Sequence, residues 1–428
     1  MNPLNRIKCD LLIIGRGFAG MAAAARASEL GLRTVQAGSS SGFFLASGLI
    51  DLLGVWPVEK KKIINVLDSG LKQLRADNPK HPYSRMRAET ILENLSFISS
   101  VLAKAGLPYT HEAGRNQSVL TAAGTFKPSY MVPETFAAGC GLATAPKRVL
   151  FVDFKGLKGY SARQIADVLH RTCPDASALT VDLPGNPHEI TPVQLADRFE
   201  STDFLEVLCE AVRPHCGPFD LIGFPAVCGI NTSLEIVKDF ETRLERPCFE
   251  IPGLPPSIPG LRLKNAFEKW LSQKDVTLLN NAGVSFDSFR NDTFFMTAQY
   301  QNLMTSIEAK GIVLSTGRFQ GRGLHASRQG ITEPVFQLPV TQPGTRSQWH
   351  AIDFFSLGGH AVNRTGIEIN SEFQAVNSAG QPLFEHLYAA GGILAHNDWI
   401  RLKSGAGVCF ATAVGSVDRF YASQRGDQ

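Results

Sequence analysis

The feature that most narrows the fold lies at the start of the chain. An apolar run, DLLII (10–14), leads into Gly15-x-Gly17-x-x-Gly20, and an alanine-rich stretch follows as far as Gly31. The apolar run suits a strand buried on both faces of a parallel sheet. The small-residue stretch suits a helix packed closely on that strand, and Gly31 is a helix terminator. RTVQA (33–37) then reads as a second strand. The first glycine makes the tight turn, the second lets backbone approach a pyrophosphate, and the third allows close strand–helix packing. The helix N-terminus then faces the phosphate charge. The combination predicts a nucleotide-binding unit.

One position departs from the pattern. An Asp or Glu about 20 residues further on ordinarily grips the ribose hydroxyls. That place falls on Gly38, followed by Ser39, Ser40 and Ser41. A hydroxyl such as that of Ser39 can bond a ribose, less firmly than a carboxylate. Either the adenosine half is held in an unusual way, or the cofactor has none, as in FMN.

Ile63, Ile64, Leu67, Leu71 and Leu74, then Ile91, Leu95, Ile98 and Leu102, repeat at three- and four-residue spacing and predict two amphipathic helices. From about Thr110 to Phe289 short strands (VLFVDF, DLIGFP) alternate with helical patterns and prolines. The segment EIPGLPPSIPG (250–260) predicts an extended, packed stretch. The last third returns to the opening style. KGIVLSTG (310–317) and HLYAAGG (386–392) are apolar strands ending in glycine, and SGAGVCFATAVGSVDRF (404–420) is a second small-residue helix. The expected architecture is α/β: a Rossmann-like FAD/NAD(P)-binding three-layer fold, residues 1–57 and 291–428, carrying a large α+β insertion at 58–290 as a substrate cap or partner-docking region.

With 428 residues the chain can build its core without covalent staples, and a net charge of +3 makes no case for nucleic acid. Lys60-Lys61-Lys62 reads as a solvated face. None of the eight cysteines forms a C-x-x-C pair, so no metal or iron–sulfur site is expected. No apolar run approaches the ~20 residues that span a bilayer. With no secretory signal either, the expectation is a cytoplasmic protein that would need other proteins to carry it to a membrane.

GFFLASGLIDLLG (42–54), which holds Ser47 and Gly48, resembles the segment along the flavin ring in the fumarate reductase and succinate dehydrogenase flavoproteins. IVLSTGRF, around Gly317, and LYAAGGI…SGAGVCFATAVGS, with Gly391, Gly392, Gly405, Ala406 and Gly407, resemble their later flavin-contacting segments in the same order. The resemblance implies that N–H groups at Gly405, Ala406 and Gly407 face the pyrimidine end of the ring, where reduced flavin is anionic. SSGFFLASGLIDLLG, GTFKPSYMVP, VLFVDFKGLKGYSARQIA and CFEIPGLPPSIPGLRLKNAF together resemble the B subunit of anaerobic glycerol-3-phosphate dehydrogenase, over nearly the whole length. That family also lacks an acid at the place of Gly38. The resemblance implies oxidation of sn-glycerol 3-phosphate to dihydroxyacetone phosphate, with electrons passed to the quinone pool in anaerobic respiration. It implies FMN as cofactor, with FAD as the alternative. It further implies two partners, a catalytic flavoprotein (the A subunit) and an iron–sulfur, membrane-anchoring protein (the C subunit). The latter would hold the chain at the inner face of the membrane.

Alcohol oxidation by a flavin needs a base for the hydroxyl proton and cations for the phosphate. His360 and His396 are the histidines nearest the flavin-like motifs and are the candidate bases, with His350 third. Asp398 reads as a helix cap or ion-pair partner, and Asp51 and Glu59 as structural. Arg318, Arg322, Arg401 and Lys403, in loops beside the same motifs, are the candidate phosphate ligands. Two other readings stay open. One is a flavin-holding or electron-relay protein whose partner does the chemistry. The other is a fumarate-reductase-like reductase of an unsaturated acid, although no signature secures its arginine and carboxylate clamps.

Overall fold

A computed structural model describes residues 5–182 and 189–426. In chain order its principal elements are β1 (Asn5–Ile14), α1 (Phe18–Glu29), β2 (Thr34–Gly38), α2 (Leu67–Asp77), α3 (Ala88–Lys104), β3 (Val149–Phe154), α4 (Ala162–Leu169), β4 (Ala176–Val181) and β5 (Leu221–Pro225). They continue as α5 (Ser233–Leu244), β6 (Cys248–Ile251), α6 (Ile258–Leu271), β7 (Val276–Asn280), β8 (Gly283–Arg290), β9 (Thr293–Tyr300), β10 (Leu303–Leu314), β11 (Leu387–Ala389) and α7 (Gly405–Gly426). The chain divides into two compact units.

The first unit is formed by Met1–Gly42, Asp51–Val101 and Phe267–Gln428. Its sheet runs β7-β2-β1-β10-β9-β8, with β11 also pairing β10. β7, β2, β1, β10 and β11 are parallel, and β8, β9 and β10 form an antiparallel meander. The first and last thirds of the sequence thus meet in one sheet, Ile14 pairing with Leu314. Leu11, Leu12 and Ile13 are wholly buried, as a parallel strand covered on both faces requires. α1 and α7 pack on each other, and their small residues let the backbones come close. At Gly311 of β10 a methyl group would meet the Phe420 ring of α7 at 2.4 Å, so glycine sets how tightly that helix lies on the sheet. Of the two periodic helices, α3 buries Ile91, Leu95, Ile98 and Leu102 completely. α2 begins only at Leu67; Ile63 precedes it and is exposed.

The second unit is formed by Phe43–Ile50 and Leu102–Ala266. Its main sheet, β6-β5-β3-β4, is parallel throughout, so the expected α+β character is confined to two small antiparallel pairs near residues 109–133. Phe154, Phe199, Phe224 and Phe240 fill the core, the last two stacked at 4.8 Å. The proline segment is not extended throughout: α6 starts inside it at Ile258, and Pro259 sits in that first turn, where no N–H is needed. Arg262 and Glu250 form a bidentate buried pair, and Cys228 N–H and Gly229 C=O take up further valences of the two groups. A charge pair buried this deeply is tolerable because its hydrogen bonds are nearly complete.

Among the described residues no helix is long and apolar enough to cross a membrane.

Candidate active site

The N-terminal glycines have unequal geometry. Gly15 (φ +125°) lies against the Ser315 backbone, where a Cβ would meet the carbonyl oxygen at 2.3 Å. At Gly20 a Cβ would meet the Gly15 carbonyl oxygen at 2.0 Å. Both are packing glycines. At Gly17 nothing lies within 4 Å of the Cβ position. Gly17 is also the N-cap of α1, with no side chain capping the helix and no acid in its first turn. The positive end of the helix is thus left open to a diphosphate.

Gly38 ends β2 at φ +141°, and a Cβ there would sit 3.1 Å from Gly15 Cα and 3.3 Å from Arg16 N. An acid at this position would be strained and crowded by the glycine turn itself. The missing carboxylate is therefore a property of the backbone path. Ser39, just beyond, is exposed.

The C-terminal glycines gather at the same end of the sheet. Gly317 (φ +70°) has no atom within 4 Å of its Cβ position, and its Cα is 3.8 Å from the Cβ position of Gly392. A Cβ on Gly391 (φ +80°) would meet Ala19 Cβ of α1 at 2.5 Å, and its N–H donates to Thr412 Oγ1 at 2.9 Å. At the start of α7 the expectation needs a correction: Gly407 N–H already donates to the Asp51 carbonyl at 2.8 Å. A Cβ on Gly407 would meet Tyr83 Oη at 2.5 Å, so this glycine is there for close packing. Gly405 and Ala406 make no backbone hydrogen bond through their N–H groups among the described residues, and both are partly exposed. Ser47 and Gly48 belong to the second unit, where Tyr109 Oη donates to the Gly48 carbonyl at 2.6 Å. The open Gly17 and Gly317, with no side chain capping α1 and the free Gly405 and Ala406 N–H groups at the start of α7, fit a flavin nucleotide.

The predicted catalytic side chains divide. Arg318 donates to the carbonyls of Asn363, Leu394 and Asn397, the last two at 2.8 Å. Burial pulls its guanidinium down to about 10, with Asp398 opposing. It is a staple between loops, not a phosphate ligand. His360 is committed too: Nδ1 accepts from Ala351 N–H at 3.1 Å and Nε2 reaches the Phe354 carbonyl at 3.1 Å. It pins the loop that exposes Ile352, Phe354 and Phe355, and has no ring nitrogen left for a substrate proton. His350 stacks edge-on against it at 5.4 Å. Arg401 donates to the Leu357 carbonyl and packs over Gly359. Lys403 takes a left-handed conformation after a short turn of helix, and Arg322 is exposed. Asp398 stands at the N-cap of that turn without a capping bond.

His396 is differently placed. It adopts φ +62°, and its Nε2 lies 2.9 Å from Glu368 Oε1. Burial works against the Glu368 charge, but bonds from His396, Thr341 and Lys80 outweigh it and hold the carboxyl below its usual range. With Nε2–H given to Glu368, Nδ1 is the basic nitrogen. His396 lines a cavity of about 440 Å³ together with Trp56, Asn78, Thr341, Gln342 and Arg364. Arg364 is exposed and was missed in the sequence. Its signal was the Gly366 that follows it, in the same stretch as His360. The Arg318 staple ties this wall to the turn at Gly317.

Residues 10–408 match the family model described as FAD binding domain. The chain is 28% identical to the B subunit of anaerobic glycerol-3-phosphate dehydrogenase from Aliivibrio fischeri, over 94% of this chain and 93% of that one. It is 27% identical to the Vibrio cholerae protein of the same name, over 97% of each. A probable B subunit of the same dehydrogenase from Halobacterium salinarum is 28% identical, over 95% of this chain and 96% of that one. Among solved structures, 3-ketosteroid delta1-dehydrogenase from Sterolibacterium denitrificans aligns at 12% identity and a TM-score of 0.47, over 97% of this chain and 100% of that one. The family's description names FAD, so FMN as the first choice of cofactor is not supported. On the strength of the two glycine cradles and a match that runs from the first strand into the last helix, the chain belongs to the FAD binding domain family.

Proposed function

We propose that this chain binds FAD and oxidises sn-glycerol 3-phosphate to dihydroxyacetone phosphate as one component of a quinone-linked dehydrogenase. The observation that carries the reading is His396, paired with Glu368, on the wall of a cavity that also holds an exposed arginine. Bound flavin would supply the hydride acceptor. Glu368 fixes the ring of His396, and His396 Nδ1 takes the proton of the substrate hydroxyl. Arg364, with Arg322, Arg401 and Lys403, is the candidate set for the phosphate. Gly15, Gly17 and Gly20 with α1 would receive the diphosphate, and Gly317, Gly391, Gly392, Gly405 and Ala406 would border the ring. The second unit is assigned the cap or partner-docking role. A partner flavoprotein and an iron–sulfur, membrane-anchoring partner would carry electrons onward and hold the chain at the membrane. The names of the relatives, each one component of a larger dehydrogenase, support an assembly of this kind.

The test is anaerobic mixing of the purified, flavin-loaded chain with glycerol 3-phosphate, without partners. Rapid loss of flavin absorbance is expected. Loss only after the partner flavoprotein is added would overturn direct catalysis and favour an electron-relay role. The commitment of His360 and Arg318 to backbone groups of the protein is the observation that favours that second reading.

A further inference from the structure

Position 38 cannot hold the ribose-binding acid, yet the surroundings of that strand end are unusually polar. On the neighbouring parallel strand Asn280 is the register partner of Gly38, and the next N–H, that of Asn281, donates to the Gly38 carbonyl at 2.8 Å. Between the first two glycines stands Arg16, only 4% exposed. Its guanidinium donates to Asn280 Oδ1 and, at 3.1 Å, to Glu268 Oε1 of α6. Its Nε is buried with no partner among the described residues. A buried cation in the turn that must admit a diphosphate is expensive to hold for packing alone. Here it draws a carboxylate and an amide to the carboxyl edge of β2 and β7. The Glu268 side chain remains about one-third exposed, and Asn280 is exposed.

We propose that Glu268 and Asn280, positioned by Arg16, supply the ribose-hydroxyl contacts that the end of β2 lacks, so that the adenosine half of FAD is held from α6 and β7. This rests on the FAD reading above. A carboxylate accepting a ribose hydroxyl makes a charge-assisted hydrogen bond, and a neighbouring amide can both donate and accept. Arg16 holds both side chains in place through its bonds to Glu268 and Asn280.

The experiment is titration of flavin-depleted full-length protein with FAD, FMN and ADP, followed by calorimetry, for wild type, Glu268→Gln and Asn280→Ala. Loss of one charge-assisted bond corresponds to roughly a 10- to 100-fold weakening. The expected result is a loss of that size for FAD and ADP in Glu268→Gln, a smaller one in Asn280→Ala, and no change for FMN, which has no adenosine. Asn280 is exposed, so its variant keeps the test valid should Glu268→Gln fold poorly. Wild-type protein that takes FAD with both variants unchanged, or variants that weaken FAD and FMN equally, would overturn the assignment alone. Wild-type protein that takes FMN and refuses FAD would overturn the cofactor reading and this assignment with it.

Discussion

His396 Nε2 lies 2.9 Å from Glu368 Oε1, and His396 itself occupies a left-handed backbone conformation. A non-glycine residue held this way is strained, and such strain concentrates where a side chain must point in one direction. Replacing His396 by Gln should lower kcat by ~10²- to 10⁴-fold with flavin content unchanged. Glu368→Gln should lower kcat by roughly tenfold or more, with Glu368→Asp partly restoring it and KM little altered. Steady-state kinetics on flavin-matched samples decides this, and an unchanged kcat in His396→Gln removes the residue from the mechanism.

Arg318 should behave as a structural residue. Arg318→Ala leaves the carbonyls of Asn363, Leu394 and Asn397 without their donor. Buried acceptors stripped of partners cost about 1–3 kcal/mol each, partly relieved by relaxation, so a net loss of roughly 2–4 kcal/mol is expected. Chemical denaturation would show it. A variant of wild-type stability with only KM raised would restore the phosphate-binding role.

The glycines should separate into two classes. Gly20→Ala and Gly407→Ala place a methyl group against backbone or a buried hydroxyl and should lower the melting temperature. Gly17→Ala meets nothing in the protein and should melt normally while losing bound flavin. Gly38→Asp should not improve flavin retention, because the added strain is about 1–3 kcal/mol. Absorbance ratios and thermal melts on the four variants check all of this together.

His81 offers a pH test. Burial drives it down to about 3, outweighing its bond to Asn397, and the nearby His396 pushes the same way. A free histidine titrates near about 6.5. Protons therefore bind the unfolded chain more readily between those values. Stability from His81 is complete above about pH 6.5 and falls as pH drops towards 3, by up to ~1.4 kcal/mol per pH unit. His81→Gln should show a shallower acid slope of denaturation midpoint against pH. Equal slopes in the two proteins would refute the buried-neutral assignment.

The cofactor cradle was legible because each of its parts demands particular residue types within a short window: glycine where backbone must come close, alanine where a helix must lie flat. The side-chain roles were not. Arg318 and His360 sit where a catalytic residue would sit, and nothing in their type says that their partners are backbone groups, of distant loops for Arg318 and of its own loop for His360. The N–H of Gly407 is consumed by Asp51, a residue remote in sequence whose carbonyl leaves no signal in its identity. Gly38 was recognisable as a departure, but its cause, the path of β2 against the Gly15 turn, exists only in three dimensions. Glu368 and His396 come from two segments joined by a parallel bridge between Ile367 and Leu394, a register the sequence does not specify.

The pairing of β1 with β10 has a consequence for how the chain is made. During synthesis β1, α1 and β2 emerge first, but β1 lacks its central neighbour until Leu314 has left the ribosome. The parallel sheet of the second unit, by contrast, is complete once Ile251 has emerged. Domains tend to fold as units while the chain is still growing, and non-local pairing is slow. The inserted unit can therefore fold first, and the cofactor cradle, assembled from the segments on either side of it, closes only afterwards. FAD can be gripped only once β10 and α7 have followed the inserted unit out of the ribosome.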